Sequence, residues 1–210
     1  MSAQATTAPP SSLRLVMTLA IAGLLSGIAI IGIYETTLPT ITANKARELS
    51  EAVLKVLPGV TRMQALVYRD GELVVVATPE KDEPVIYGGH DEQGAFVGYA
   101  VPAAGPGFQD TIALLYGYMP DDRQVVGMEI LESRETPGLG DKIYKDADFV
   151  AEFSALLVDP EIVAVKKGTK TGPNQVDAIT GATISAKACL LYTSDAADDW
   201  LVGLLSGGAG

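Results

Sequence analysis

Between Leu15 and Ile33 the chain runs LVMTLAIAGLLSGIAIIGI, nineteen residues without a charge. As an α-helix at 1.5 Å per residue this run reaches roughly 28 Å, close to the hydrocarbon thickness of a bilayer. A cleaved signal peptide is the competing reading. It would have a shorter apolar core and a small-x-small site after it, whereas Tyr34-Glu35-Thr36-Thr37 follows here. The run therefore reads as an uncleaved anchor, with residues 13–34 as one transmembrane helix and residues 1–12 as a polar, Pro-containing, disordered tail. Arg14 precedes the run and Glu35 is the first charge beyond it, so the positive-inside rule puts the N-terminus in the cytoplasm and the rest of the chain outside.

Composition then narrows what lies beyond the anchor. A chain of 210 residues leaves room for one domain of ordinary size. Its 15 Lys and Arg stand against 26 Asp and Glu, a net charge of −11, which argues against nucleic acid as a partner. The same charge would be repelled by an anionic membrane surface, so attachment falls to the apolar run. With one cysteine, Cys189, there is no internal disulfide, Cys-rich zinc site or cysteine-ligated iron–sulfur cluster. The one histidine, His90, sits in Gly-Gly-His-Asp and reads as a solvated loop residue.

From Thr40 to Leu57, Ala46, Leu49, Val53, Val56 and Leu57 recur at helical spacing, and Pro58-Gly59 stops the pattern. Strand-like runs follow at 65–68, 73–77, 85–87, 96–101, 111–118 and 125–132. Turn chemistry lies between them at Arg69-Asp70-Gly71-Glu72, Gly88-Gly89, Gly105-Pro106-Gly107 and Met119-Pro120-Asp121-Asp122. Consecutive strands with short turns predict an antiparallel sheet, hence an α+β domain with flanking helices. Asp146 to Leu157 reads as a short helix and Val163–Lys166 as one more strand.

Two stretches carry chemistry. Asp177-Ala178-Ile179-Thr180-Gly181-Ala182-Thr183-Ile184-Ser185 packs an acid, three hydroxyls and a glycine just ahead of a helix-like run. Thr180, Thr183 or Ser185 can cap the first N–H groups there, and a helix start with hydroxyls around it suits a phosphate. The plain alternative is an N-cap and nothing more. The second stretch, Glu135-Thr136-Pro137-Gly138-Leu139-Gly140-Asp141-Lys142-Ile143, is a turn stiffened by proline whose glycines admit a close backbone approach. Its plain alternative is a surface loop without a ligand. No general acid/base pair, nucleophile elbow or phosphate loop is legible elsewhere.

Asp-x-x-Thr-Gly-Ala-Thr at 177–183 resembles the acceptor motif of the FMN-binding domain family, in which a flavin transferase esterifies the FMN phosphate onto the last threonine. The Glu135–Ile143 stretch is similar to that family's other signature, as found in the G subunit of the Rnf electron-transport complex and the C subunit of the sodium-translocating NADH:quinone reductase (Nqr). Both motifs, in this order and behind an anchor, carry the resemblance from the anchor to about Ala188. It implies one covalent FMN on Thr183, a phosphoryl threonine, with Thr180, Gly181 and Ala182 beside it and Asp177 recognised by the transferase. It further implies that Glu135, Thr136, Gly138, Leu139, Gly140 and Lys142 adjoin the flavin. The cofactor would do the redox chemistry, the protein setting its position and potential. The net charge of −11 would modestly disfavour an anionic reduced flavin.

The compact spacing from the anchor favours the G subunit of an Rnf-type ferredoxin:NAD oxidoreductase, an ion-translocating complex of the bacterial inner membrane. Other membrane subunits would be its partners, and the domain, residues 35–188, would lie on the periplasmic side. The C subunit of the quinone reductase is the nearest alternative. An anchored FMN-binding module, or a scaffold outside a pumping complex, is the other. After Ala188 the chain departs from the family's expected amphipathic helix. LLYTSDAADD resembles a translated sequencing-adapter fragment, which sets residues 189–210 apart as a non-native tail.

Overall fold

The structure is a computed structural model that describes residues 11–69, 72–80, 83–159 and 161–190. It divides into two compact units, Met1–Arg47 and Glu48–Gly210, whose boundary falls inside the first helix, α1 (Ser12–Val56). The sequence pattern suggests an anchor and a separate amphipathic helix; the structure has one 45-residue helix with Pro39 inside it. Proline withholds one backbone donor there and does not break the helix. On either side, Thr36 and Thr37 donate to the Ile33 carbonyl and Thr42 donates to that of Leu38, so these hydroxyls are absorbed by the helix itself.

In the first unit the apolar side chains of α1 are open. Leu24, Ile30 and Ile33 are each more than 60% exposed, and the most apolar window has a mean hydropathy of 2.4 with none of it buried in protein. Apolar surface on that scale calls for lipid.

The second unit is built on a seven-stranded antiparallel sheet in the order β2-β1-β3-β4-β5-β6-β7. The strands are β1 (Arg62–Arg69), β2 (Glu72–Val76), β3 (Val85–His90), β4 (Phe96–Pro106), β5 (Thr111–Met119), β6 (Gln124–Glu132) and β7 (Leu156–Leu157). Two short helices, α2 (Lys142–Lys145) and α3 (Ala147–Ala151), run into a 3₁₀ turn at Glu152–Ala155. A separate parallel pair, β8 (Val163–Val165) with β9 (Gln175–Asp177), precedes helix α4, residues 183–190.

Both faces of the sheet are covered, and the two-residue period of a strand sorts its side chains between them. Along β5, Ile112, Leu114, Tyr116 and Tyr118 join the larger core with Phe149, Phe153, Val176 and Ala186. Leu115 turns to the other side, against Val53, Val56, Leu57 and Val60 at the end of α1. Burying each of these aliphatic side chains is worth about 1.5–3 kcal/mol.

The end of α1 reaches the strands because its landing ground is glycine. Gly89 pairs with Gly98, and Gly117 with Gly127, across four neighbouring strands. A Cβ on Gly127 would lie 2.8 Å from the Val56 Cα, one on Gly89 2.9 Å from Leu57 Cδ1, and one on Gly117 would collide with the Val56 carbonyl oxygen. The helix ends at Val56 and the chain turns away at Gly59, whose φ of +86° suits a residue without a side chain.

These contacts correct the reading of Gly88-Gly89 as a turn: both lie within β3, where their bare faces admit Leu66, Leu57 and Val60. His90, expected in a solvated loop, closes the same strand, half-buried with its ring edge-on to Phe96. Gly105-Pro106 belongs to β4, which runs five residues further than its apolar pattern suggests. The segment read as one helix from Asp146 to Leu157 is α3, capped by Asp146 on the N–H groups of Asp148 and Phe149, then the 3₁₀ turn, then β7. The Asp70-Gly71 turn lies outside the described residues, as do residues 191–210. Cys189 and Leu190, expected in the tail, continue α4 and are buried.

Candidate functional site

The two chemistry-bearing stretches meet. Past β6 the chain enters the 133–141 loop, and Glu135 turns inward, 6% exposed. Its Oε1 accepts from the Gln109 N–H at 3.0 Å and, more weakly, from that of Asp110; its Oε2 accepts from Ser185 Oγ at 2.6 Å. Ser185, on α4, is itself only 1% exposed. Burial pushes the Glu135 carboxyl up, but the Ser185 hydroxyl and the N–H groups of Gln109, Asp110 and Phe108 outweigh it and hold it below its ordinary value. A Cβ on Gly107 or on Gly140 would fall 2.5 Å from one of these carboxylate oxygens, so both glycines serve the buried acid.

A second acid holds the turn. Asp141 Oδ1 accepts from the Gly138 N–H at 2.7 Å and Oδ2 from Lys145 Nζ at 2.6 Å. Gly138 takes φ +80° with open space around it, so its glycine answers to backbone conformation. Lys142 Nζ reaches the Thr180 carbonyl at 3.5 Å, a further tie between the loop and the 177–185 segment.

Around these ties lies a cavity of about 310 Å³. Glu135, Thr136, Leu139 and Gly140 line it from one motif and Gly181, Ala182, Thr183, Ile184 and Ser185 from the other, with Phe108 as a third contributor. Phe108 is 68% exposed, Ile184 55% and Leu139 50%, so three apolar side chains from three segments stand at its edge. Thr183, the first residue of α4, is exposed, and its hydroxyl donates to the Ile179 carbonyl at 3.4 Å. Its oxygen lone pairs are uncommitted in that bond. Gly181, at φ +84°, makes the bend before the helix.

Of the residues expected around a flavin, Gly138, Lys142 and Thr180 do not line this cavity and act through the loop's own bonds. Glu135, expected to reach a ligand's polar edge, spends its carboxylate on protein donors because it is buried among them. Ser185, a possible cap by sequence, bonds Glu135 instead. Asp177 faces away, into a smaller cavity of about 180 Å³ with Asp146, Glu152 and Lys167; its Oδ2 accepts from the Gly168 N–H at 2.8 Å. Sequence reasoning missed Phe108, Ile184 and the structural role of Asp141. For Phe108 a signal existed: a large apolar residue set directly after Gly105-Pro106-Gly107.

A site with an exposed threonine at a helix start, a bend made by glycine, and an apolar rim suits a phosphate joined to a flat aromatic ring. The model of the FMN-binding domain family matches residues 107–198. The G subunit of the ion-translocating oxidoreductase complex of Methanosarcina acetivorans is 36% identical over 168 residues, 79% of this chain and 81% of that protein. The G subunit of the proton-translocating ferredoxin:NAD⁺ oxidoreductase complex of Clostridium ljungdahlii is 30% identical over 165 residues, 78% of each chain. Among solved structures, NqrC of Shewanella oneidensis superposes with a TM-score of 0.58 at 20% identity, covering 72% of this chain and 91% of that one. The C subunit of the Na⁺-translocating NADH-quinone reductase of Parabacteroides distasonis gives 0.60 at 18%, covering 78% and 95%. Those two likenesses establish a shared fold, and the sequence identities establish kinship: this chain belongs to the G-subunit family of the ion-translocating oxidoreductase complexes and carries that family's FMN-binding domain.

Proposed function

We propose that this chain is a membrane-anchored electron carrier that holds one FMN in phosphoester linkage to Thr183, within an Rnf-type ion-translocating ferredoxin:NAD oxidoreductase. The observation that carries the reading is the cavity lined by both motifs, with the exposed residue Thr183 on its wall. FMN, when bound, supplies one- and two-electron chemistry. The chain's residues do the rest. Attachment replaces the Thr183 O–H with an O–P bond, while the proton and the leaving group of an activated flavin nucleotide depart without any change in oxidation state. Phe108, Leu139 and Ile184 offer apolar contact to a flat ring, and the N-terminal end of α4 favours the phosphate's charge.

Maturation on this reading needs a flavin transferase, with Asp177 as part of the segment it recognises. The relatives in Methanosarcina acetivorans and Clostridium ljungdahlii bear the names of ion-translocating complexes, which supports other membrane subunits as partners. Arg14 ahead of the apolar run supports a cytoplasmic N-terminus, with residues 35–188 as the domain on the outer side of the bacterial inner membrane. A role as the C subunit of a quinone reductase is the second reading; what favours it is the fold likeness. In the test, the full chain is produced with and without an active flavin transferase and run on a denaturing gel under ultraviolet light. Fluorescence that survives denaturation only in the presence of the transferase supports the carrier, and a dark band beside a fluorescent control protein rejects it.

A further inference from the structure

We propose that Glu135 is a positioning residue, one that fixes the rotational setting of α4 and so presents the Thr183 hydroxyl; the inference rests on Thr183 being the flavin acceptor. Successive residues of a helix turn by about 100°, so positions 183 and 185 point about 200° apart, nearly opposite ways. Ser185 is 1% exposed and tied to Glu135 Oε2 at 2.6 Å, which leaves Thr183 on the outward side. A rotation of α4 by one residue in either sense would move Thr183 off its present outward setting and put Lys187, exposed now, where Ala186 or Ala188 is buried.

The anchor is built to hold. A hydroxyl-to-carboxylate bond is among the stronger hydrogen bonds, and this one is shielded from water at both ends. Gly107 and Gly140 leave the space that the carboxylate occupies, and the Gln109 N–H fixes its other oxygen. Two segments distant in sequence, the 107–110 stretch and α4, therefore converge on one acid, which is hydrogen-bonded to α4 through Ser185. A carboxylate accepts at both oxygens, so every donor in this arrangement points inward.

The test takes the full-length chain with Glu135→Gln and, separately, Ser185→Ala, and uses Thr183→Val as the zero-transfer reference. FMN transfer by an active flavin transferase is followed across chain concentrations, and amide hydrogen exchange is measured on the FMN-free chain. The expected result is a fall in kcat of about tenfold or more in both variants with KM within about twofold, because the acceptor is misdirected while the recognised surface is kept. Amides 186–189 of α4 should exchange faster in both. Wild-type kcat in a folded variant overturns the proposal, as does faster exchange in Glu135→Gln confined to residues 107–110. Should Glu135→Gln fail to fold, Ser185→Ala, which removes a single oxygen, carries both readouts. A wild-type chain that takes no FMN rejects the acceptor reading instead, and the exchange measurement still decides whether Glu135 sets α4.

Discussion

Ser185 and Glu135 stand 50 residues apart in the chain, yet the Ser185 hydroxyl donates to the Glu135 carboxylate across 2.6 Å with both side chains out of water. This bond joins the 133–141 loop and the 177–185 segment into one wall of one cavity. Other features of the site depend on keeping that wall in place.

Asp141 sets a pH dependence. The Lys145 ammonium, seconded by the Gly138 N–H, holds its carboxyl below the ordinary 3.8 against the opposing effect of burial. A carboxyl depressed on folding contributes stability above its unfolded value and loses it as pH falls through the folded one. Asp141→Asn should therefore melt below the wild type at neutral pH, and the gap should narrow as the pH drops below 3.8. Thermal melts at several pH values check this; a gap independent of pH contradicts it.

The glycine floor under α1 admits no side chain at Gly117. Gly117→Ala drives a methyl into the Val56 carbonyl oxygen, a backbone atom that cannot swing aside. Overpacking of this kind costs about 1–3 kcal/mol. Urea unfolding of the variant should show that loss, with the denaturant slope unchanged.

Phe108 offers a cleaner separation of ligand contact from folding. At 68% exposure it contributes little to the core, so Phe108→Ala should leave the melting temperature of the FMN-free chain within about 2 °C of wild type, in keeping with a surface substitution. Once loaded, the variant's flavin should emit more strongly and with lower anisotropy, since an aromatic neighbour has been removed. Unchanged emission and anisotropy would place the ring away from Phe108.

Cys189 reports on whether α4 continues past Ala188 in solution. Burial pushes its thiol up to about 12 from 9.0, which leaves about 10³-fold less thiolate than in an unfolded chain. Labelling with a thiol-reactive disulfide at pH 8 should be slow until denaturant is added. Rapid labelling of the native chain would mean that position 189 is not packed as described.

The sheet could be read from its apolar runs because strand patterning is local: β1, β5 and β6 lie within a residue or three of their expected bounds. What escaped were features decided by distant neighbours. Gly88 and Gly89 look like a turn by composition, and only the arrival of Leu57 and Val60 explains them as strand. β9 is three residues long and owes its form to pairing with β8, so no periodicity announced it. At the site, the motif residues were legible as types, while their division of labour was not. Whether Glu135 faces a ligand or a serine depends on a fold that brings position 185 beside it. Phe108 lay outside both motifs and entered only when the β4–β5 turn was seen to border the same cavity.

Whether Thr183 carries the flavin is decided by the intact mass of the full-length chain produced with an active flavin transferase, followed by peptide mapping. A gain of one FMN minus water is expected, located on the peptide containing Thr183 and abolished by Thr183→Val. An unmodified mass beside a modified control protein, or the same gain persisting in Thr183→Val, would contradict that expectation.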